Sequence, residues 1–212
     1  MQPMTNIDDL IIGAPNANSN DRNNSGTSYI VFGTTEGFAS TIDISTLDGI
    51  NGFTVIGATE GNLSGRSVST AGDINSDGID DLIIGAPNAN SNGENFGAAY
   101  IIFGKNSFSS NTTIDLSNLD GNGFVINGLT AEDRLGFSVS NPGDINNDGF
   151  DDLIIGAPNA YTDSNGKPGQ TYIVFGQSDF DSSFDLSSLD GSNGFFINGQ
   201  SIEDYSGFSV SK

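Results

Sequence analysis

The chain has 212 residues, with 27 Asp+Glu against six Lys+Arg and a formal charge of −21. So acidic a surface argues against nucleic acid as a partner, because phosphate recognition needs a basic patch, and equally against anionic membrane surfaces except through bridging calcium. With no Cys and no His the chain lacks disulfides, thiol chemistry and the usual transition-metal ligands, and its 29 glycines and short Val/Ile/Phe runs point to an all-β protein rich in turns.

In chain order, the opening MQPMTN lacks the basic and apolar regions of a secretion signal. Either such a signal has been removed or the chain is a piece of a longer one. No apolar run approaches the ~18 residues of a membrane span. DDLIIGAP at 8–15 is the first predicted strand, SYIVFG at 28–33 the second and GFTVIG at 52–57 the third, with STLDG at 45–49 between the last two. GRSVS at 65–69 precedes a loop, and GDINSDGIDDLIIGAP at 72–87 carries that loop into the next strand. The pattern then recurs: AYIIFG at 99–104, SNLDG at 117–121, GFVING at 123–128, GFSVS at 136–140 and GDINNDGFDDLIIGAP at 143–158. A third round gives TYIVFG at 171–176, SSLDG at 187–191, GFFING at 194–199 and GFSVS at 207–211.

Asp9, Asp81 and Asp152 occupy one position of this unit, spaced by 72 and then 71 residues. The chain is therefore three copies of one repeat, about 8–79, 80–150 and 151–212, in a single domain over 1–212. Each repeat has four strand-like runs, and Pro87 and Pro158 fall where strands end. Four short antiparallel strands repeated at this period predict β-propeller blades, since solenoid repeats are usually nearer 20–45 residues.

The loops carry the chemistry. Asp73, Asn75, Asp77 and Asp81, with the carbonyl of Ile79, alternate oxygen donors around the turn at Gly78. Asp144, Asn146, Asp148 and Asp152, with the carbonyl of Phe150, repeat the set around Gly149. Oxygen ligands on alternate residues suit Ca²⁺, which takes roughly six to eight of them in irregular geometry; Mg²⁺ demands a stricter octahedron. An Asx-rich turn without metal is the alternative. The closing Asp stands ninth rather than twelfth, and Leu-Ile-Ile follows, so the loop opens into a strand rather than the helix of an EF-hand.

The combination DxNxDGxxDLIIGAP, followed by YIVFG, resembles FG-GAP repeats, the units of the integrin alpha-subunit propeller. The resemblance spans all three copies and implies a calcium loop between the first two strands of each blade. It also implies partner binding on the face opposite those loops, at 16–27, 88–97 and 159–170 with 58–64, 129–135 and 200–206. Arg22 and Tyr161 are the bulky groups expected there. Ser64-Gly65, Leu135-Gly136 and Ser206-Gly207 depart from the Phe-Gly pair that names the family, and Phe137 and Phe208 follow the glycine instead. In the first copy Thr5 and Asn6 replace the loop Asp and Gly, so only Asp8 and Asp9 remain.

Three blades are too few to close a ring, which is expected to be completed by a second chain or by a longer parent chain. One arrangement pairs the 207–211 strand with the 8–14 strand of a neighbour, head to tail. The function implied is a calcium-binding extracellular or cell-surface module for adhesion, with a structural metal and a protein or glycan ligand. The alternatives are a ring- or filament-forming subunit, a lectin, or the non-catalytic propeller of a secreted hydrolase. Catalysis is not expected, because His and a GxSxG elbow are both missing.

Overall fold

A computed structural model describes residues 7–91, 94–108, 112–161 and 166–212. Thr5 and Asn6 lie outside the described residues, as do 92–93 and 162–165 within the loops proposed for recognition. The strands, in chain order, are β1 (Leu10–Ala14), β2 (Thr27–Val31), β3 (Gly52–Ile56), β4 (Ser67–Gly72), β5 (Asp81–Ala86), β6 (Asn90–Ser91), β7 (Glu94–Asn95), β8 (Ala98–Ile102), β9 (Thr113–Asp115), β10 (Gly123–Asn127), β11 (Ser138–Gly143), β12 (Asp152–Ala157), β13 (Gln170–Val174), β14 (Ser183–Phe184) and β15 (Gly194–Asn198). No α-helix occurs among the described residues, and so none is long and apolar enough to cross a membrane.

Three sheets form, ordered β1-β2-β3-β9, β4-β5-β8-β10-β14 and β11-β12-β13-β15, and β6 and β7 make a small hairpin apart from them. Apart from β9 and β14, neighbouring strands of each sheet are antiparallel, as in Ile84 opposite Tyr100 and Val125 opposite Tyr100 from the other side. A β-bulge interrupts the first strand just before each loop, between Thr70 and Gly72 and between Ser140 and Gly143.

The blades pack face to face, and the apolar residues divide accordingly. Phe53, Val55, Ile84, Tyr100 and Ile102 fill the space between the first and second sheets. Ile83, Ile101, Phe124, Leu153 and Ile155 fill the space between the second and third. Because β8 is buried on both faces, its sequence AAYII runs apolar without alternation. The glycine of each GAP motif lets the next blade approach: a Cβ on Gly85 would lie 2.0 Å from the carbonyl oxygen of Gly136.

The sequence shows four strands per unit; the structure adds a fifth that comes from the next unit. β9 runs parallel to β3, with Thr54, Val55 and Ile56 opposite Thr113, Ile114 and Asp115. β14 runs parallel to β10 in the same way, with Val125 opposite Ser183. Residues 207–211, expected as a strand, enter no β-ladder among the described residues. A β-segment is held by its partner's backbone, and among the described residues no second strand lies beside this one.

Candidate functional site

Each loop is a collar of side-chain oxygens folded onto its own backbone. In the first, Asp73 accepts the N–H groups of Asp77 at 3.0 Å and Gly78 at 2.8 Å through its two oxygens. Asn75 Oδ1 also accepts from Asp77, and Asp77 Oδ1 accepts from Ile79 at 2.9 Å. The second loop repeats every bond: Asp144 with Asp148 and Gly149, Asn146 with Asp148, Asp148 with Phe150. Gly78 and Gly149 take φ of +87° and +94°, a conformation that disfavours a side chain although the space beside both is open. Strands β5 and β12 follow directly.

Asp81 and Asp152 act differently from the side chains around the turn. Both are fully buried, and each has both oxygens engaged by backbone N–H groups. Asp81 accepts from Ile74 at 3.2 Å and Gly104 at 2.7 Å; Asp152 accepts from Ile145 at 2.8 Å and Gly176 at 3.0 Å. The residue thus pins the loop to the exit of the third strand, and a metal would have to share its oxygens. In the first copy Asp9 keeps half of this role, accepting from Gly33 at 2.7 Å. Among the described residues no three acidic side chains stand grouped tightly enough to hold a metal ion by themselves. A metal ion in either loop would have to draw as well on the oxygens of Asn75 and Asn146 and on the carbonyls of Ile79 and Phe150.

Electrostatics around the loops is unfavourable to bare carboxylates. Burial, only partly offset by the two backbone N–H groups, pushes Asp81 up to about 7, and the charges of Asp77 and Asp73 add to it. Asp152 is raised for the same reasons. Burial also raises Asp80, reinforced by the charges of Asp151, Asp73 and Asp8. Adjacent loops are coupled: the Asp73 N–H donates to Asp151 Oδ2 at 3.0 Å, and the Gln177 N–H to the Ile74 carbonyl at 3.0 Å.

At the opposite end of the blades, the two sets of connections proposed for recognition hydrogen-bond to each other. Ser64 bonds back to Ser25, Leu135 to Phe96 and Ser206 to Pro168, and Asn88 and Asn159 reach across to the preceding connection at Asn62 and Asp133. Tyr161 is exposed there. Arg22 is not a free contact: its guanidinium holds Asp115 through both oxygens, at 2.9 and 3.1 Å, and the Gly57 carbonyl at 2.8 Å. Exposed Leu129, Ile202 and Tyr205 lie on these connections, and sequence reading passed over them because isolated apolar residues in loops carry no pattern.

Residues 64–102 and 136–174, each a first strand, loop, second strand and third strand, match the FG-GAP repeat family. The chain carries FG-GAP repeats. It is also similar to integrin alpha-8 of Gallus gallus, 30% identical over 136 residues covering 62% of this chain and 12% of that protein. Integrin alpha-PS5 of Drosophila melanogaster is 36% identical over 89 residues, 42% of this chain and 8% of the relative. Integrin alpha-6 of Gallus gallus is 38% identical over 87 residues, 41% of this chain and 7% of the relative. The chain therefore spans about a tenth of the length of these integrins. The likeness lies in an FG-GAP β-propeller of the integrin alpha kind, built here of sheets with four to five strands.

Proposed function

We propose that this chain is a non-catalytic recognition module of an extracellular or cell-surface FG-GAP propeller, made rigid by Ca²⁺ in the loops at 73–81 and 144–152. The observation that carries the reading is the repetition, bond for bond, of an all-oxygen collar in both loops. Asp73, Asn75, Asp77, Asp81 and the Ile79 carbonyl would hold one ion, and Asp144, Asn146, Asp148, Asp152 and the Phe150 carbonyl the other. Bound calcium would supply charge neutralisation and nothing catalytic. The likeness to integrin alpha chains supports a protein or glycan ligand on the rim that includes Tyr161.

Titration of the chelated protein with CaCl₂ in a calorimeter tests the metal. Two loops binding, with the melting temperature rising in calcium and falling in EGTA, is the expected result; the Asp77→Ala/Asp148→Ala double variant would lose both effects. A melt indifferent to calcium and EGTA would overturn the metal reading. Attachment of cells to a surface coated with the chain tests adhesion, and equal attachment to bare surface would overturn that part.

A second reading, self-association head to tail, is favoured by the glycine contacts. Gly65 and Gly136 donate their N–H groups to the Gly85 and Gly156 carbonyls at 3.0 Å, joining first strand to second. Gly207 is the next in that series, and Gly13 of a neighbouring copy would be its partner, bringing 207–211 beside 8–14. Leu10 and Ile12 on that edge are exposed.

A further inference from the structure

The contact between consecutive blades has two parts beyond packed faces, and both occur twice inside the chain. The first is a phenylalanine from the later unit stacked on the last strand of the earlier blade. Phe108 lies on Phe53 with ring centroids 4.0 Å apart, and Phe180 lies on Phe124 at 4.2 Å, the planes within 12° in both pairs. The second is the parallel fifth strand that follows, β9 on β3 and β14 on β10. Hydrogen bonds from Thr54 N–H to the Thr112 carbonyl and from Leu116 N–H to the Ile56 carbonyl secure the first exchange, both at 3.0 Å.

The same two parts are present a third time as separated halves. Phe38 stands where Phe108 stands, yet it is 54% exposed against 4%. Thr41-Ile42-Asp43 stands where Thr113-Ile114-Asp115 stands, with Ile42 and Ile44 exposed where Ile114 and Leu116 are buried. At the other end of the molecule β15 has no fifth strand among the described residues. Its Phe195, Phe196 and Ile197 are exposed; Ile197 is 51% exposed, whereas Ile126 in β10 is 0%. One face is thus the donor half of a contact and the other the acceptor half.

We propose that a second copy of this chain joins these halves: its Phe38 stacks on Phe195, and its Thr41–Asp43 segment becomes the fifth strand of the third sheet. This rests on the head-to-tail reading above and specifies its principal contact. The internal copies dictate the register, placing Thr41 opposite Phe196, Ile42 opposite Ile197 and Asp43 opposite Asn198. The Phe196 N–H would donate to the Ser40 carbonyl, and the Ile44 N–H to the Asn198 carbonyl. Because donor and acceptor faces differ, the contact is heterologous, and its rotation decides between a closed ring and an open row.

The chain has no cysteine, so cross-linking reads the register directly. Thr41→Cys and Phe196→Cys variants of the 212-residue chain are mixed and oxidised, and masses are measured by light scattering without oxidant. The expected results are a species of about 44 kDa or a larger multiple of 22.0 kDa and a disulfide-linked pair formed only in the mixture. A Phe38→Ala/Ile42→Asp variant should raise the dissociation constant about tenfold or more while its circular dichroism and melt stay those of a folded chain. Ile50→Asp, at an exposed residue outside both the Phe38 and the Thr41–Asp43 parts of the contact, should leave association unchanged. Association without the cross-link, or insensitive to Phe38→Ala/Ile42→Asp, overturns the strand exchange and leaves head-to-tail assembly standing. A 22.0 kDa species at micromolar concentration overturns both.

Discussion

The carboxylate of Asp151 accepts the backbone N–H of Asp73 at 3.0 Å, and the N–H of Asp151 donates to the Asp73 carbonyl at 3.1 Å. These residues lie 78 positions apart, in the loops of different sheets. A change at one loop therefore reaches the next through two direct bonds. Asp151→Ala removes the acceptor and leaves a half-buried N–H without it, a loss of about 1–3 kcal/mol. Asp151→Asn keeps an oxygen there and should lose less. Urea denaturation in EGTA separates the two, and an Asp151→Ala protein as stable as its parent would show the bond to be incidental.

Two glycines of the second copy should fail for different reasons. At Gly85 a methyl group would meet the Gly136 carbonyl oxygen at 2.0 Å and Ser67 Oγ at 2.3 Å, so Gly85→Ala should lose about 3 kcal/mol or more. At Gly78 the surroundings are open and only the +87° φ resists a side chain, so Gly78→Ala should lose about 1–2 kcal/mol. Denaturation midpoints of both variants, measured without calcium, give the ranking. The reverse order would contradict the packing described.

Arg22 ties the first sheet's connection to the strand borrowed from the second unit. Partial burial acts to raise the Asp115 pKa, but the Arg22 and Ser117 hydrogen bonds and the Arg22 charge outweigh it and hold the group at about 2. The folded value is below the unfolded value of 3.8, so this stabilisation is present above pH 3.8 and disappears as pH falls through about 2. In Arg22→Ala the Asp115 carboxyl, followed by NMR, should titrate higher than in the parent. An unmoved titration would mean that the ion pair does not persist in solution.

Asp133 shows the opposite sign. Burial outweighs the Thr130 N–H bond and lifts this carboxyl to about 6. The folded value exceeds the unfolded 3.8, so the charged form costs stability above pH 6, up to about 3 kcal/mol, and the cost fades as pH falls toward 3.8. Asp133→Asn should therefore melt higher relative to the parent at pH 7 than at pH 4. A difference in melting temperature that stays constant between those values would show that Asp133 does not titrate in this window.

Much of this architecture is readable along the chain because its signals are local. The run DLIIGA becomes β5 and β12 because β-branched residues follow a turn that glycine can make. The alternating Asp and Asn oxygens become collars because each side chain reaches an N–H only two to five residues ahead. What escaped reading is non-local. Three residues, Thr113–Asp115, are too few to announce a strand, and their partner β3 belongs to another copy. Arg22 reads as a surface group until Asp115, 93 residues on, is beside it. Asp81 has the spacing of a ligand, and only the fold shows the strand exit at Gly104 that it also secures. Phe137, which departs from the usual motif, finds Phe208 at 4.8 Å and lies beneath Arg66 at 4.4 Å, a ladder that no single repeat discloses.

Because each unit lends its β9- or β14-type segment to the unit before it, the repeats behave as links rather than as beads. Deleting a whole period, cut at matching positions in two copies, would rejoin one lender to one borrower and leave the row intact. A deletion of any other size would strand a lender on one side and a borrower on the other. Gene duplication could thus lengthen or shorten such a protein only in steps of about 71 or 72 residues.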